Sequence, residues 1–594
     1  MQKLTILMPA PLRLPSLFPE DSKPTKQQIY TKPTCRRLNR EELGGEQSFA
    51  ESRAMAMENL NQDRGWEDRR IHGRDAEKMD GVDRRTSIIQ GEKVVNASGH
   101  RDQLQRHYGL LSICGLALTI DNAWVALGGS IAVSINNGGP AGVLYELLVA
   151  CFYYGFIAAS IAELTSSIPS AGGVYHWASV TPGPRYGRVL GFFTGSLNFF
   201  GWIFDLASIV SIPSNVAVQM YAVFHPDLII KPWHVYVAFI LITWSCCALV
   251  VFGNRLLPVL NQIGLFLVIV GGLITIIVVA AMPKVHANNS AVWGDFSQNN
   301  AVGWNNGVTF LTGVLNGAFT IGTPDAVTHM SEELPNPARD MPRAVGAQII
   351  LGTLTSFLYA IAILYGINDL TAVVGSNGSF PLAVVYSQAT GNKGATFGLL
   401  LILFLSIMIC VLGTFLTVGR IWWALARDNA TPFSGFFSQV NEKLSCPVPA
   451  TVLAAFLCTC FGAIQLGSKT AFTDLVGSFI ILTTMSYALA IGPHLLTGRK
   501  NVPKGPFWMG SAGYAVNAIA VLLIVFFNIM FCFPYVYPTT ESTMNYNSVI
   551  LVGVLILTIA WWFIHARTQY PGPKLSNLYV DGEIVELPKD EHTD

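Results

Sequence analysis

Three acidic residues of this chain stand inside long apolar stretches, where an unpaired charge is costly. They are Asp121, Asp205 and Asp325. A carboxylate at the centre of a membrane span costs about 2.5–3.5 kcal/mol on insertion scales, and such residues mark pathways for solutes or protons. These positions therefore indicate binding of a cationic amine or of a proton, with a hydrogen-bonded structural carboxyl as the alternative.

Asp121 lies where a helical pattern is interrupted. The stretch 119–124 places this acid and the amide of Asn122 inside an apolar run, and glycines follow at positions 128 and 129. Asp121 is about 12 residues into its run, or roughly 18 Å at 1.5 Å per residue, which is near the bilayer midplane. We predict that Asp121 is a counter-ion for an amine, and Asp205, midway along another run, has a similar claim.

A second interruption is predicted between Asn316 and Asp325. Pro324 cannot donate a helical hydrogen bond, and Gly322 is conformationally permissive. Non-helical backbone survives at membrane depth only where it lines a cavity. In proteins built from inverted repeats, corresponding helices are often broken in this way and form the solute site. Asp325 is predicted to support the broken backbone or to take part in proton coupling.

Aromatic residues flank both breaks. Trp124 and Phe319 are the nearest, and both are predicted to contact the solute because aromatic faces attract ammonium groups. Packing against neighbouring helices is the alternative for both side chains, and it is the expectation for Trp202 and Trp422.

The elements that hold these residues are predicted to be membrane helices. Of the 594 residues, 51% are hydrophobic and 12% are charged, whereas about a quarter of a soluble domain is charged. Because a helix needs about 20 apolar residues to cross a bilayer, we predict an all-α polytopic membrane protein with about 12 spans. The predicted spans are 109–136, 142–163, 187–222, 234–252, 256–282, 306–330, 345–367, 396–423, 448–466, 471–497, 511–535 and 547–566.

Basic residues determine the predicted orientation. Lys and Arg concentrate in alternate loops, and both termini are predicted to be cytoplasmic because cytoplasmic loops retain positive charge. Residues 1–107 are predicted to form a disordered tail, residues 108–566 the membrane domain, and residues 567–594 a second tail.

Four glycosylation sequons bear on this orientation. Those at Asn288 and Asn377 lie in loops predicted to be outside, whereas those at Asn96 and Asn429 lie on the cytoplasmic side and are predicted to stay unmodified.

Other functional classes find little support in the sequence. The net charge is zero, which gives no reason to expect nucleic acid as a partner. Most cysteines lie in apolar runs without zinc-ligand spacing, so no metal, cofactor or disulfide framework is predicted. No catalytic constellation indicates an enzyme, and no filter-like repeat indicates a channel. Glu146 and Glu163 sit near span ends, where solvated or helix-capping roles are expected.

Three loop motifs carry a family resemblance. The first is Glu163–Ala178, with the pair Gly172-Gly173; the second is Asp325–Pro342; the third is Arg420–Ser434. Together they resemble the amino acid–polyamine–organocation (APC) permeases, in particular their fungal amino acid and choline transporter branch. The resemblance covers about residues 105–570.

The resemblance implies a 5+5 inverted-repeat fold in which spans 1 and 6 are broken and spans 11 and 12 are appended. It also implies that the solute lies between the broken helices, where amides of span 1 hold a carboxylate and carbonyls of span 6 meet an amine. Carried over by position, the solute-binding residues are Ile120, Asp121, Asn122, Ala123, Phe319, Thr320, Ile321 and Gly322. Asp325 matches the acid near the span 6 break.

The resemblance further implies an inner gate on the cytoplasmic side. Its residues are the Gly172-Gly173 loop, Glu332, Glu333, Arg339 and Arg427. A solvated charged loop is the alternative reading of these residues.

Such a protein is expected to be a secondary active transporter that works by alternating access, driven by protons or by membrane potential. Relatives often have small residues where this chain has Asp121, and an anion there would favour a cation over a bare carboxylate. The solute is therefore expected to be choline or an amino acid, with the proton as a coupling partner and the plasma membrane as the location. A γ-aminobutyrate or polyamine permease and a non-transporting nutrient receptor are the alternatives.

Overall fold

A computed structural model describes residues 109–375, 380–468 and 470–573, together with the backbone of four short strands. All of these residues belong to one compact unit, Lys78–Asp594. Most of the predicted N-terminal tail and the sequon at Asn377 lie outside the described residues, so the disorder of the tail stays a prediction.

The short strands form two antiparallel hairpins that flank the helical region in sequence. Ser87–Gln90 pairs with Lys93–Asn96, and Tyr579–Val580 pairs with Glu583–Ile584. The first hairpin falls within the tail predicted to be disordered. Its Ile and Val residues favour strand pairing, a local signal that the overall polarity of the tail hides.

In the described part of residues 109–573 the regular elements are all helical; the longer ones form the twelve spans that the sequence predicts, and short helices lie in the loops between them. Eleven of the spans are long and apolar enough to cross a membrane by length and composition. The spans, numbered 1 to 12 in order, are Leu110–Gly129, Gly139–Ser167, Pro184–Ala222, Pro232–Phe252, Asn254–Ala281, Asn306–Thr320 with Ala326–Glu333, Pro337–Tyr365, Lys393–Arg427, Val448–Leu466, Ala471–Leu496, Ala512–Met530 and Asn547–Gln569.

Span 6 does not cross as one helix because it is broken. Its α-helix, Asn306–Thr320, reaches only about 23 Å at 1.5 Å per residue, less than the roughly 30 Å of the hydrocarbon core. The helical path ends at Ile321 (φ −126°, ψ 22°), and after residues 321–325 the chain continues as a 3₁₀ segment, Ala326–Glu333. The predicted interruption of span 6 is confirmed.

Span 1 is broken at a single residue, Asn122. Its inner part, Leu110–Asp121, ends where Asn122 takes a left-handed conformation (φ 34°, ψ 51°), and a new helix, Ala123–Gly129, starts there. Asparagine adopts this conformation more readily than most residues. The predicted interruption of span 1 is therefore also confirmed.

Span 3 lies at the centre of the bundle. In the most apolar 18 residues of span 3, 89% are buried, compared with 17% in the corresponding stretch of span 12. Span 3 packs against spans 4, 8 and 10, span 1 packs against spans 5, 7 and 8, and span 2 packs against spans 6, 7 and 11. The two broken helices are thus surrounded by other spans, and span 12 is peripheral.

Two carboxylates expected to be solvated near span ends are instead buried, so that expectation was wrong. Glu163 is fully buried because the loop after span 10 folds over it, and it pairs with Arg499 and accepts a bond from the Met509 amide at 3.1 Å. Glu146 is 1% exposed, and its carboxylate lies against Gly313 of span 6 without a hydrogen bond to any described residue.

The loop between spans 5 and 6 tests the predicted orientation. Asn288 is exposed there, just before the short helix Asn289–Trp293. Expressed in a eukaryotic cell, the protein should show a glycosidase-sensitive gel shift that Asn288→Gln reduces and Asn288→Gln with Asn377→Gln abolishes. Asn96→Gln is the matched control and should leave the shift unchanged; a shift lost only in that control would reverse the orientation.

Candidate solute-binding site

The breaks in spans 1 and 6 are joined by hydrogen bonds through a side chain of span 7. Thr323 Oγ1, in the span 6 break, donates to Asp121 Oδ1 at 3.0 Å. Gln348 Nε2, on span 7, donates to the same oxygen at 3.1 Å and to the carbonyl of Thr323 at 2.9 Å. Asp121 therefore holds the two interruptions together at one depth of the bundle.

The second oxygen of Asp121 is not satisfied in this way. Asp121 is 4% exposed, and its Oδ2 makes no hydrogen bond to a described residue. This oxygen lies 2.7 Å from where a Cβ would stand on Gly352 of span 7. Asp121 thus faces span 7, and a larger residue at position 352 would collide with its carboxylate.

Asp325 is the most extensively bonded of the three acids. Its Oδ1 accepts from Tyr487 Oη of span 10 at 2.5 Å. Its Oδ2 accepts from Asn198 Nδ2 and Trp202 Nε1 of span 3 at 3.0 and 3.2 Å, and lies 3.6 Å from His329 Nε2. Asp325 therefore anchors the span 6 break to the two spans behind it.

Asp205 is the acid without a donor. It stands on the same face of span 3 as Asn198 and Trp202, because residues three and four apart lie on one side of a helix. Asp205 is 3% exposed, its carboxyl makes no hydrogen bond to a described residue, and it interacts electrostatically with Asp121 and Asp325. One region of the bundle thus holds three carboxyls, and only Asp205 is wholly uncompensated.

The broken backbone supplies further polar groups at this depth. Amides in the first turn of a helix and carbonyls in the last turn have no intrahelical partner. Ala123 begins the outer part of span 1, and Phe319 and Thr320 end the helix of span 6. The side chain of Asn122 is buried, and neither its oxygen nor its nitrogen has a hydrogen-bond partner among the described residues.

Two predicted binding residues make other contacts. Ile120 packs its side chain near Gly413 of span 8, and its carbonyl accepts from Cys410 Sγ at 2.9 Å. Trp124 is fully buried, donates from Nε1 to the carbonyl of Val268 at 3.0 Å and stacks edge-on with Tyr359 at 5.2 Å. Trp124 therefore fixes span 1 to spans 5 and 7.

Val268 is available to Trp124 because span 5 contains a π-helical turn. This turn, Leu267–Gly271, widens the helix and alters its hydrogen-bond ladder, a feature frequent at functional sites. Gly272 follows it, and a Cβ there would stand 3.0 Å from the Trp124 ring nitrogen. The contact of Trp124 with span 5 thus has a specific cause that periodicity does not reveal, and its contact with a solute stays a prediction.

Phe319 belongs to an aromatic cluster beside the span 6 break. Its ring centroid lies 6.2 Å from that of Phe479, which lies 5.8 Å from Trp202. Gly322 contacts the same cluster, since a Cβ there would stand 3.3 Å from Phe479. Ile321 and Thr320 are buried around this point. The cluster extends to Trp202, which lies on the helix face of span 3 that carries Asp205.

The side with Glu332 is the inner side in the predicted orientation, and two buried ion pairs close it. Arg427 donates to both carboxylate oxygens of Glu332 at 3.0 and 3.3 Å. Arg420 donates to Glu333 Oε1 from Nε at 2.7 Å and from Nη2 at 2.6 Å. These pairs tie the 3₁₀ segment of span 6 to the inner end of span 8.

Arg339 is not part of these ion pairs, although the resemblance implied it. It is exposed at the start of span 7, and none of the described salt bridges includes it. Arg420 takes its place. The spacing of Arg420 and Arg427 carried the signal, because residues seven apart lie on the same face of a helix.

The Gly172-Gly173 loop presses against the same segment. Gly173 has φ +51°, and a Cβ on it would stand 2.8 Å from Thr328 Oγ1 and 2.9 Å from His329 Cε1. Only glycine suits both the conformation and the contact. The loop therefore lies against the 3₁₀ segment of span 6, and its role in an inner gate stays a prediction.

A second cluster behind this loop was missed by sequence reasoning. Tyr175 Oη donates to Asp428 Oδ2 at 3.0 Å, and His176 Nε2 lies 3.3 Å from the same oxygen. Burial, followed by the charge of Asp428, raises the pKa of Tyr175 well above its ordinary value, so the phenol stays a donor. Tyr570, after span 12, lies 2.9 Å from Tyr175 Oη.

Within the described ranges, no group of three or more His, Cys, Asp or Glu side chains is placed to hold a metal ion.

Comparison with known proteins agrees with this architecture. A family model described as amino acid permease matches residues 108–556. A choline transporter of Saccharomyces cerevisiae is 33% identical over 470 residues, covering 79% of this chain and 83% of the relative. An amino-acid permease of Arabidopsis thaliana is 25% identical over 506 residues (82% and 97%), and a 7-keto 8-aminopelargonic acid transporter of S. cerevisiae is 26% identical over 538 (78% and 93%).

The chain therefore belongs to the amino acid permease family of the APC superfamily, and it is a multi-pass membrane protein of transporter type. The resemblance carried by the three loop motifs is confirmed.

The ion pairs on the inner side predict a stability difference between two arginines. Arg420→Met should destabilise the protein by about 3–5 kcal/mol, the usual cost of removing one partner of a buried ion pair. Arg339→Met is the matched control and should change little, because Arg339 is exposed. The measurement is the melting temperature in detergent, and equal melting temperatures for the two variants would contradict this account.

Proposed function

We propose that this transporter carries choline, or a similarly small organic cation, by alternating access, and that Asp205 is the counter-ion for its ammonium group. The observation that carries the proposal is the uncompensated carboxyl of Asp205 beside the two breaks. A buried carboxylate without donors is expensive unless a cation accompanies it. A solute cation supplies that charge.

The surroundings of Asp205 suit a quaternary ammonium group. Such a group donates no hydrogen bonds and is attracted by a carboxylate and by aromatic faces. Trp202 precedes Asp205 by one helical turn, and Phe479 and Phe319 extend from it. The relative named as a choline transporter, 33% identical over most of both chains, supports the same solute class.

An amino acid is the second candidate, and a different observation favours it. The amides that begin the outer part of span 1 and the buried amide of Asn122 are donors suited to a carboxylate. Relatives are named for amino acids and for 7-keto 8-aminopelargonic acid. A γ-aminobutyrate or polyamine permease would use the same groups.

Transport itself is proposed to follow from movement of the broken helices against the rest of the bundle. The pairs Glu332–Arg427 and Glu333–Arg420 and the Gly172-Gly173 loop would separate when the inner side opens. For a cation the membrane potential supplies about 2.3 kcal/mol per charge per 100 mV. The plasma membrane, with both termini in the cytoplasm, is the proposed location.

One measurement, accumulation of choline in liposomes, distinguishes a transporter from a non-transporting receptor. Liposomes containing the purified protein and an inside-negative potential should accumulate radiolabelled choline well beyond one molecule per protein. Retention of no more than one choline per protein would instead support a receptor.

Replacing Asp205 tests the proposed counter-ion. Asp205→Asn should raise the KM for choline by about thirtyfold or more, because losing one partner of a buried charge pair costs at least about 2 kcal/mol. Asp121→Asn should raise it less, since Asn keeps an oxygen for Thr323 and Gln348.

The measurement is choline uptake by cells with matched surface expression, with unlabelled amino acids as competitors. If Asp121→Asn abolishes uptake and Asp205→Asn leaves KM unchanged, Asp121 is the counter-ion. If an amino acid is carried and choline is not, the second candidate replaces the first.

A further inference from the structure

His329 occupies the junction between the span 6 break and the inner loop. It lies in the 3₁₀ segment, four residues after Asp325, and is 1% exposed. Its Nδ1 is 2.9 Å from the carbonyl oxygen of Ala171, in the loop between spans 2 and 3. Its Nε2 is 3.6 Å from Asp325 Oδ2 and has no hydrogen bond within the accepted distance to any described residue.

The carbonyl of Ala171 fixes the first proton on this ring. A carbonyl oxygen only accepts, so Nδ1 must carry a hydrogen. A neutral ring with that tautomer would present the Nε2 lone pair to the carboxylate of Asp325. Two electron pairs facing each other in a buried site repel, so the pair His329–Asp325 must share one further proton.

The other donors to Asp325 decide where this proton resides. Tyr487, Asn198 and Trp202 all donate to its carboxylate. Three donors stabilise the ionised form of an acid. These donors hold Asp325 as a carboxylate, which leaves His329 Nε2 as the atom of the pair that can carry the shared proton.

We propose that His329 and Asp325 together bind the co-transported proton, and that the Ala171 carbonyl makes this binding depend on closure of the inner loop. The inference rests on the proposed transport function. When the loop leaves the 3₁₀ segment, Nδ1 loses its acceptor and inner water reaches the ring. The Nε2 proton then leaves to water, and the ring returns to its neutral form.

Charged and titratable groups on every neighbouring element bear on this site. Asp205 of span 3 and Tyr487 of span 10 face Asp325, and Tyr154 of span 2 lies within electrostatic reach. On the same segment, Glu332 and Glu333 are paired with Arg427 and Arg420 of span 8. In the loop, His176 is bonded to Ser170 and Asp428. The paired charges cancel, so the uncompensated Asp205 favours the proton.

The site predicts a defined ratio of protons to solute. Purified wild-type protein in liposomes with a lumenal pH dye, with the potential clamped at zero, should acidify the lumen when radiolabelled choline enters. In His329→Gln the lumen should no longer acidify as choline enters, so the ratio of protons to choline should fall to zero. The residual choline uptake of this variant should no longer depend on external pH. Gln fills a similar volume and can still donate to Ala171, so a merely structural role would leave the ratio unchanged.

Two further variants complete the experiment. Asp325→Asn should also take up choline without moving protons. This variant replaces His329→Gln as the test of the His329–Asp325 pair if His329→Gln aggregates on gel filtration. His225→Gln is the matched control, because His225 is exposed beyond the end of span 3, and it should behave as wild type.

Wild-type proton movement in both the His329 and Asp325 variants, or choline uptake by the wild type without any proton movement, contradicts this inference alone. If the wild type takes up no choline, the proposed function fails and this inference falls with it.

Discussion

The structure depends on the requirement that backbone amides and carbonyls be hydrogen-bonded inside a membrane. Ten of the spans meet it with continuous helix, whereas spans 1 and 6 break it at Asn122 and at residues 321–325. These interruptions persist because Asp121, Thr323 and Gln348 connect them, and because Asp325 is held by spans 3 and 10. The groups left unbonded at the breaks are the ones that a solute can use.

The distribution of charge follows a similar requirement, because a buried charge also needs a partner. Acids and bases on the inner side are paired, as in Glu332–Arg427 and Glu333–Arg420, so that side is closed by charges that compensate each other. Midway through the bundle Asp121 and Asp205 have no such cation, and Asp205 lacks even a neutral donor. An arrangement that leaves the Asp205 carboxyl without a donor, close to Asp121 and Asp325, is suited to recognising a cation.

Much of the fold was predictable because the membrane imposes a simple pattern. Apolar runs of about 20 residues gave the spans, and Asn122 and Pro324 marked the breaks, since both residue types have strong backbone preferences. Side-chain direction was not predictable. Trp124 turns to span 5 because a π-helical turn frees the carbonyl of Val268. The partners of the ion pairs were not predictable either. Arg420 rather than Arg339 completes the inner ion pairs, since distant spans determine which arginine is buried.

The central proposal is that a cationic solute binds between the two broken helices beside Asp205. The most direct test is a cryo-electron microscopy structure of the protein determined with saturating choline. The account predicts density for the ammonium group within about 6 Å of the Trp202 ring and next to the Asp205 carboxylate. Choline density elsewhere, for example in the cavity of about 850 Å³ lined by Lys284 and His286 of the loop after span 5 and by Asn368 after span 7, with the breaks unoccupied, would contradict it.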